Sequence, residues 1–180
     1  VTWPKSSRIL PKEFVNWFLS TTYLNNLVND YGELEITDEE ELGYPNIYWR
    51  ITRPNKPRDV GPLHRDSWFW EIDKSNGKKF PKCKRLKSWI SINVEKGKNG
   101  LLVVEGSHKN KELKWDTLKK DGKIKPYLKS KISSNDINLL KTSNNYAVTF
   151  DDDLVHGGSE NFGESTRVSM EFTVFLKDFF

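Results

Sequence analysis

The sequence contains one cysteine, only three histidines and no long apolar run. The single cysteine, Cys83, excludes an intrachain disulfide framework and a cysteine-rich metal site. No apolar stretch approaches the ~18 residues of a transmembrane helix, and the first residues, Val1 to Lys5, lack the apolar segment of a secretory signal. We therefore expect a cytoplasmic protein with no membrane partner.

Motifs of nucleotide-binding folds and of repeat architectures are also missing. The chain has no glycine-rich phosphate loop, no internal repeat and no alternation of strands with helices, which argues against a doubly wound α/β sheet. Aromatic residues, in contrast, are abundant, with 7 Trp, 6 Tyr and 10 Phe among 180 residues. Because each buries on the order of 150–250 Å², the sequence predicts one folded domain over residues 1–180.

The charge of the chain is weakly basic and unevenly distributed. Lysine and arginine number 29 against 25 aspartates and glutamates, a net charge of +4, and lysines concentrate in residues 74–87 and 109–131. Basic clusters attract phosphates, but readout of bases favours the bidentate guanidinium of arginine. A solvated surface explains these segments more simply, and nucleic acid is not the expected partner.

Hydrophobic patterns predict one helix followed by a series of short strands. Phe14, Phe18 and Leu24 recur near helical spacing within residues 11–28, and this helix is expected to pack on the core. Runs of β-branched and aromatic residues predict strands at 47–53, 63–72, 86–94, 101–104, 146–150, 153–156 and 167–176. Residues 109–145 read as a lysine-rich insertion with weak helical patches. The expected fold is mainly β, a sandwich or barrel over residues 45–176 with an N-terminal helix.

Two of the three histidines stand in a pattern suited to a metal ion. His64 and Asp66 are two residues apart, so in a strand both side chains point to one face and reach one cation. His156 follows downstream, after a predicted strand and three aspartates at 151–153 that read as a turn. Two histidines and one carboxylate form the facial ligand set of non-haem Fe(II) oxygenases, which leaves open positions for a cosubstrate and O₂. The alternative is a surface histidine beside a carboxylate.

An arginine opens the last predicted strand, eleven residues after His156. This residue, Arg167, shares a strand face with Ser169, so guanidinium and hydroxyl can hold a carboxylate together. A buried arginine is costly unless an anion accompanies it, and Glu171 on the same face is the alternative partner. The third histidine, His108, is interpreted as a turn residue rather than a ligand.

Four further residues near the predicted ligands are candidates for contact with a substrate. Arg50 and Arg53 lie on the strand that precedes the ligands and could bind an anion, although a surface role explains them equally well. Trp68 and Trp70 alternate beside the ligands and could wall a pocket, although packing in the core is the default for aromatic residues.

The order of these motifs resembles the phytanoyl-CoA dioxygenase family of Fe(II)- and 2-oxoglutarate-dependent oxygenases. The resemblance covers residues 10–176 and depends on His64-x-Asp66, Trp89-Ile90, the run Asn99-Gly100-Leu101-Leu102-Val103-Val104-Glu105-Gly106-Ser107-His108-Lys109, His156 and Arg167. Glu105 departs from the family, in which proline commonly precedes Gly-Ser-His, but this position belongs to a turn and is not a ligand.

The resemblance implies a double-stranded β-helix (a jelly-roll, cupin-like barrel) that holds Fe(II) through His64, Asp66 and His156. Arg167, helped by Ser169, would bind the distal carboxylate of 2-oxoglutarate, and reaction with O₂ would release succinate and CO₂. A carboxylate at position 66, where related halogenases have a small residue, implies hydroxylation of a small molecule. Lysine-rich loops over the barrel would favour an anionic or carrier-linked substrate. The alternative is a cupin-type barrel that binds metal without oxygenase activity.

Overall fold

The N-terminal segment forms two helices rather than one. In the computed structural model, which describes residues 5–72, 83–120 and 122–176, helix α1 spans Lys12–Leu19 and helix α2 spans Thr22–Tyr31. The hydroxyls of Ser20 and Thr21 donate hydrogen bonds of 2.7 Å to carbonyl oxygens three residues earlier. Such local bonds compete with the helical ladder, so the single helix predicted over 11–28 is corrected to two.

Strands make up most of the remaining regular secondary structure of the described residues, and every strand pair is antiparallel. They are β1 (Leu34–Ile36), β2 (Tyr48–Thr52), β3 (Lys84–Asn93), β4 (Leu101–Val104), β5 (Trp115–Lys120), β6 (Lys123–Leu128), β7 (Ile137–Leu139), β8 (Ala147–Asp151), β9 (His156–Gly158) and β10 (Arg167–Leu176). The main sheet has the order β1-β10-β3-β8, with β2 also paired to β10. A second sheet has the order β7-β4-β9, and β5 and β6 form a hairpin. The prediction of a mainly β fold is confirmed.

The two faces of the main sheet lie in different environments. Met170, Phe172 and Val174 of β10 join a buried cluster with apolar residues of α1 and α2. Side chains alternate along a strand, so Arg167, Ser169 and Glu171 belong to the opposite face of β10. On that face Arg167 and Glu171 line a cavity. The helices thus cover one face, as predicted, and the other face presents charged groups.

The second sheet lies beside this cavity. Leu101 and Val103 of β4 form a buried cluster with Trp89 of β3 and Phe150 of β8, so apolar contacts join the two sheets. The pairing of β4 with β9 sets Val103 opposite His156. One predicted ligand is therefore held at the junction of the sheets.

The segment after Asp66 differs from the prediction. Residues Ser67–Ile72 form helix α3, whereas the aromatic run predicts a strand over 63–72. The chain turns at once, because the backbone N–H of Phe69 donates a hydrogen bond to the carbonyl oxygen of Asp66 (3.0 Å). Strand propensity is context-dependent, and here burial of Trp68 on one side of a helical turn prevails.

The lysine-rich insertion also differs from the prediction. Residues 109–145 contain β5, β6 and β7 and a 3₁₀ turn at Ser134–Asp136, rather than weak helices. The hairpin of β5 and β6 contacts the preceding loop through Lys120, whose ammonium donates to the carbonyl oxygens of Arg58 and Val60 at 3.1 and 2.9 Å.

Among the described residues, no helix has the length and apolar character needed to span a membrane.

Candidate metal centre

The three predicted ligands lie together. His64 and His156 form an isolated antiparallel bridge in which each backbone N–H donates to the other's carbonyl oxygen at 2.9 Å. Their rings consequently lie 4.7 Å apart between centroids. Asp66 follows two residues after His64, directly before α3, and the ligand atoms of all three residues lie within 4.8 Å of one another. The backbone pairing thus converts distant sequence positions into one cluster.

Both imidazoles are oriented by hydrogen bonds to nearby carbonyl groups. Nδ1 of His64 lies 2.9 Å from the carbonyl oxygen of Pro62, and Nδ1 of His156 lies 2.9 Å from that of Leu154. A carbonyl can only accept, so each Nδ1 carries a proton, and in a neutral ring Nε2 is then the nitrogen that has the lone pair. Metal-binding histidines show this arrangement because the second nitrogen fixes the ring and its tautomer.

The electrostatics of the cluster favour a cation. Burial lowers the pKa of His156 to about 4, so its imidazole is neutral near pH 7, the form that binds a metal. Burial alone would raise the pKa of Asp66, but Lys87 and the two histidines lower it well below its usual value. Oδ2 of Asp66 is buried and has no hydrogen-bond partner among the described residues. The neutral imidazole of His156 and the ionised carboxylate of Asp66, beside the second imidazole of His64, fit a divalent metal ion such as Fe(II).

A buried network of charges connects Asp66 to the main sheet. The ammonium of Lys87 on β3 lies 3.2 Å from Oδ2 of Asp66 and 3.6 Å from Oε1 of Glu171 on β10. Glu171 is also paired with Arg50 of β2. Burial alone would raise the pKa of Glu171, but Arg50 and Lys87 lower it to about 2. Glu171 is thus the partner of these two cations, not of Arg167.

Sequence analysis did not single out Lys87. It belongs to the lysine-rich segment 74–87, but it also lies in the predicted strand 86–94, between Leu86 and the pair Trp89-Ile90. A lysine is almost never buried unless it is paired, so a lysine at the centre of a core strand is itself a signal of a buried ion pair.

Replacement of Glu171 by glutamine tests the network through stability. A carboxylate whose pKa falls from 4.5 to about 2 on folding stabilises the protein above pH 4.5, and this contribution disappears as the pH falls toward 2. We expect Glu171→Gln to lower the free energy of unfolding by about 3 kcal/mol at pH 7 and by progressively less in acid. Urea unfolding at pH 7 and near pH 3 measures the difference. The exposed Glu160→Gln is the matched control, and an equal loss at both pH values would contradict the assignment.

Arg167 is buried beside the predicted ligands and has no carboxylate partner among the described residues. Its guanidinium donates to the carbonyl oxygen of Gly100 (2.5 Å) and to Oγ1 of Thr52 (2.7 Å), and its Nε is buried without a partner among the described residues. Burial lowers the pKa of Arg167 to about 10, a larger effect than the rise caused by Glu171. Gly158 makes room for the side chain, since a Cβ there would lie 2.9 Å from Nη2. The site therefore holds an arginine whose charge is uncompensated.

Ser169 lies two residues after Arg167 and is fully buried. Its Oγ has no hydrogen-bond partner among the described residues, although Ser169 is not among the residues that line the cavity. Arg167 and Ser169 thus lie on one strand, and Nε of the first and Oγ of the second both lack a hydrogen-bond partner among the described residues.

One cavity of about 490 Å³ contains the three ligands, Arg167 and two of the four substrate candidates. Arg50 and Trp70 line it. Arg53 does not, because it is paired with Asp59 at 2.7 Å and points partly to solvent. Trp68 also lies outside the lining, since it is buried against Trp115 with their rings stacked 5.5 Å apart.

The structure describes the two lysine-rich segments to different extents. Of residues 74–87, positions 74–82 lie outside the described residues. Of residues 109–131, Lys123 and Lys125 on β6 line the cavity. The hairpin therefore contributes two lysines to the lining of the cavity.

The comparisons with known proteins concern the fold. No family model and no curated protein matches the sequence. Among solved structures, the chain is similar to EvdO2 from Micromonospora carbonacea var. aurantiaca, with a TM-score of 0.64 and 14% identity over 93% of this chain and 65% of that one. EvdO2 complexed with 2-oxoglutarate gives 0.63 and 15% over 94% and 66%, and the apo form of the non-heme monooxygenase ThoJ gives 0.63 and 11% over 93% and 59%. The chain thus shares their fold and spans less than two thirds of their length.

Proposed function

We propose that the protein is an Fe(II)- and 2-oxoglutarate-dependent oxygenase that hydroxylates a small molecule, with the two sheets as the halves of a double-stranded β-helix. The proposal depends on one observation. The His64–Asp66–His156 cluster and the buried Arg167, which has no carboxylate partner among the described residues, line the same cavity. A structural neighbour, EvdO2, has been crystallised with 2-oxoglutarate. The sequence resemblance to the phytanoyl-CoA dioxygenase family points the same way.

Different residues would hold Fe(II) and 2-oxoglutarate. His64, Asp66 and His156 would hold Fe(II) on one side and leave the remaining positions open. Arg167 would bind the distal carboxylate of 2-oxoglutarate through charge-assisted hydrogen bonds, with the unsatisfied hydroxyl of Ser169 as a helper. When both groups are bound, Fe(II), 2-oxoglutarate and O₂ supply an oxidation in which the cosubstrate loses CO₂ and becomes succinate.

The rest of the cavity would orient the substrate and limit access of water. Trp89 and Leu101 bring apolar surface from the junction of the sheets, and Phe69 contacts His64 edge to face at 5.4 Å between ring centroids. Lowering the amount of water strengthens the electrostatic interactions of bound groups. Asp66 occupies the third ligand position with a carboxylate, which favours hydroxylation over halogenation.

An anaerobic titration tests the proposal. Fe(II) added to the protein with 2-oxoglutarate should produce the visible charge-transfer absorption of the chelate, and neither addition alone should do so. Calorimetric titration of the Zn(II)-loaded protein with 2-oxoglutarate measures the binding of 2-oxoglutarate without relying on a visible absorption. Metal binding without 2-oxoglutarate binding would instead support the cupin-type barrel without oxygenase activity.

A further inference from the structure

Two arginines approach the cavity from the side of β2. Arg8 ends the 3₁₀ turn Lys5–Arg8, and the bridge between Ile9 and Tyr48 attaches this turn to β2. Arg50 lies on β2, two residues after Tyr48. Both arginines line the same cavity as the metal ligands. The N-terminal turn thus adds a cation to the site that the ligand motifs do not include.

Each of these arginines has a hydrogen-bond donor without an acceptor. Nε of Arg8 and Nη1 of Arg50 are inaccessible to solvent and have no partner among the described residues. A buried donor without an acceptor is costly, so each guanidinium keeps hydrogen-bonding capacity that the described residues do not meet. Burial and the neighbouring charge of Arg50 lower the pKa of Arg8, and the opposing effect of Glu171 is smaller.

Arg50 is held in place while this donor stays free. Its other terminal nitrogen is paired with Glu171, and its guanidinium lies over the ring of Tyr48, 5.8 Å from the centroid. Glu171 is in turn shared with Lys87. One carboxylate therefore serves two cations, and the position of Arg50 is fixed before any ligand binds.

The charges around the cavity leave room for a further anion. Among the described lining residues, Arg8, Arg50, Lys87, Lys123, Lys125 and Arg167 are cationic, whereas Glu39, Asp59, Asp66 and Glu171 are anionic. Six cations against four carboxylates leave an excess of two positive charges. Fe(II) and 2-oxoglutarate would not change this balance, because their formal charges cancel.

We propose that Arg8 and Arg50 form a subsite for an anionic group of the substrate, a carboxylate or a phosphate monoester. As a statement about substrate the inference rests on the proposed function, but the subsite itself does not require it. The subsite lies next to the proposed place of 2-oxoglutarate, because Arg167 is opposite Thr52 and Arg50 is opposite Ser169, two residues further along β10. The probes are therefore titrated with 2-oxoglutarate already bound, so that the two anion sites are distinguished.

Calorimetric titration with small probes tests the subsite without turnover. The full chain loaded with Zn(II) and 2-oxoglutarate is titrated with phenyl phosphate, benzoate and, as the neutral probe, benzyl alcohol. We expect one of the anions to bind and benzyl alcohol to bind at least tenfold more weakly, and the tighter anion identifies the substrate's charged group. Arg8→Gln and Arg50→Gln should each weaken binding about tenfold or more, as loss of a charge-assisted hydrogen bond requires.

Arg53→Gln is the matched control, because Arg53 is on the same segment and does not itself line the cavity, although its partner Asp59 does. Arg8→Gln is the deciding variant, since Arg50 also compensates the buried Glu171. Equal affinity of wild type and Arg8→Gln, an equal loss in Arg53→Gln, absence of anion binding, or displacement of the probe by 2-oxoglutarate would each overturn the subsite. Titrations repeated without 2-oxoglutarate keep this result separate from a failure of the proposed function, which would show as absence of 2-oxoglutarate binding.

Discussion

Replacement of Asp66 by alanine is expected to remove Fe(II) binding and, with it, all activity above background. Asp66 is the one carboxylate in the cluster, and its Oδ1 and Oδ2 lie 3.6 Å and 3.8 Å from Nε2 of His64 and His156. Loss of residues that merely orient metal ligands costs roughly 10–100-fold in affinity. Loss of a ligand should therefore exceed about 100-fold.

The measurement does not depend on turnover. A metal that binds only the folded state stabilises it, by about 2.7 kcal/mol at a concentration of 100 times its Kd. Zn(II) or Fe(II) under anaerobic conditions should therefore raise the Tm of the wild type and leave that of Asp66→Ala unchanged. Asp153→Ala is the matched control, because Asp153 is paired with Lys111 at 2.8 Å and belongs to the aspartates that the sequence interpretation excluded as ligands. A metal-induced rise in the Tm of Asp66→Ala equal to that of wild type would rule out this centre.

The cluster of His64, Asp66 and His156 could be predicted from the sequence for two reasons. His64 and Asp66 are two residues apart, and with only three histidines in the chain few partners were available. The strands over 101–104 and 167–176 were predicted with the bounds that the structure has, because each is rich in apolar and β-branched residues and is flanked by polar or glycine residues.

The parts that sequence reasoning missed depend on long-range pairing. Whether Glu171 meets Arg167, Arg50 or Lys87 is decided by the register of β10 against β2 and β3, and no local pattern encodes that register. Arg8 reaches the cavity only through the bridge of Ile9 to Tyr48. Helix α3 was missed for another reason, since three consecutive aromatic residues fit a strand or a helix and tertiary packing decides between them.

The cavity contains two kinds of cation, which differ in whether the protein itself compensates their charge. Arg50 and Lys87 are compensated by Glu171 inside the protein, so their removal should affect folding as well as binding. Arg167 donates only to neutral oxygens among the described residues, so its charge is compensated only when an anion binds. Its replacement should therefore have its largest effect on a ligand.

Replacement of Arg167 by glutamine is expected to weaken binding of 2-oxoglutarate by about 100-fold or more, because each hydrogen bond to a charged group contributes about 1.5–3 kcal/mol. Metal affinity should remain near that of wild type, since Arg167 is not a ligand. Loss of the donors to Gly100 and Thr52 could also disturb the site generally, and a double-mutant cycle separates the two effects. Its second ligand is 2-oxopentanoate, which keeps the 2-oxo acid and lacks the distal carboxylate.

In that cycle, wild type loaded with Zn(II) should prefer 2-oxoglutarate to 2-oxopentanoate by about 100-fold, and Arg167→Gln should bind both with similar affinity. The interaction between Arg167 and the distal carboxylate then accounts for the whole difference, because 2-oxopentanoate itself binds wild type and variant alike. If Arg167→Gln instead weakens both ligands by the same factor, the arginine acts through the structure of the site rather than on the carboxylate. Arg167→Lys should retain part of the preference, because a lysine keeps the charge but lacks the planar pair of donors.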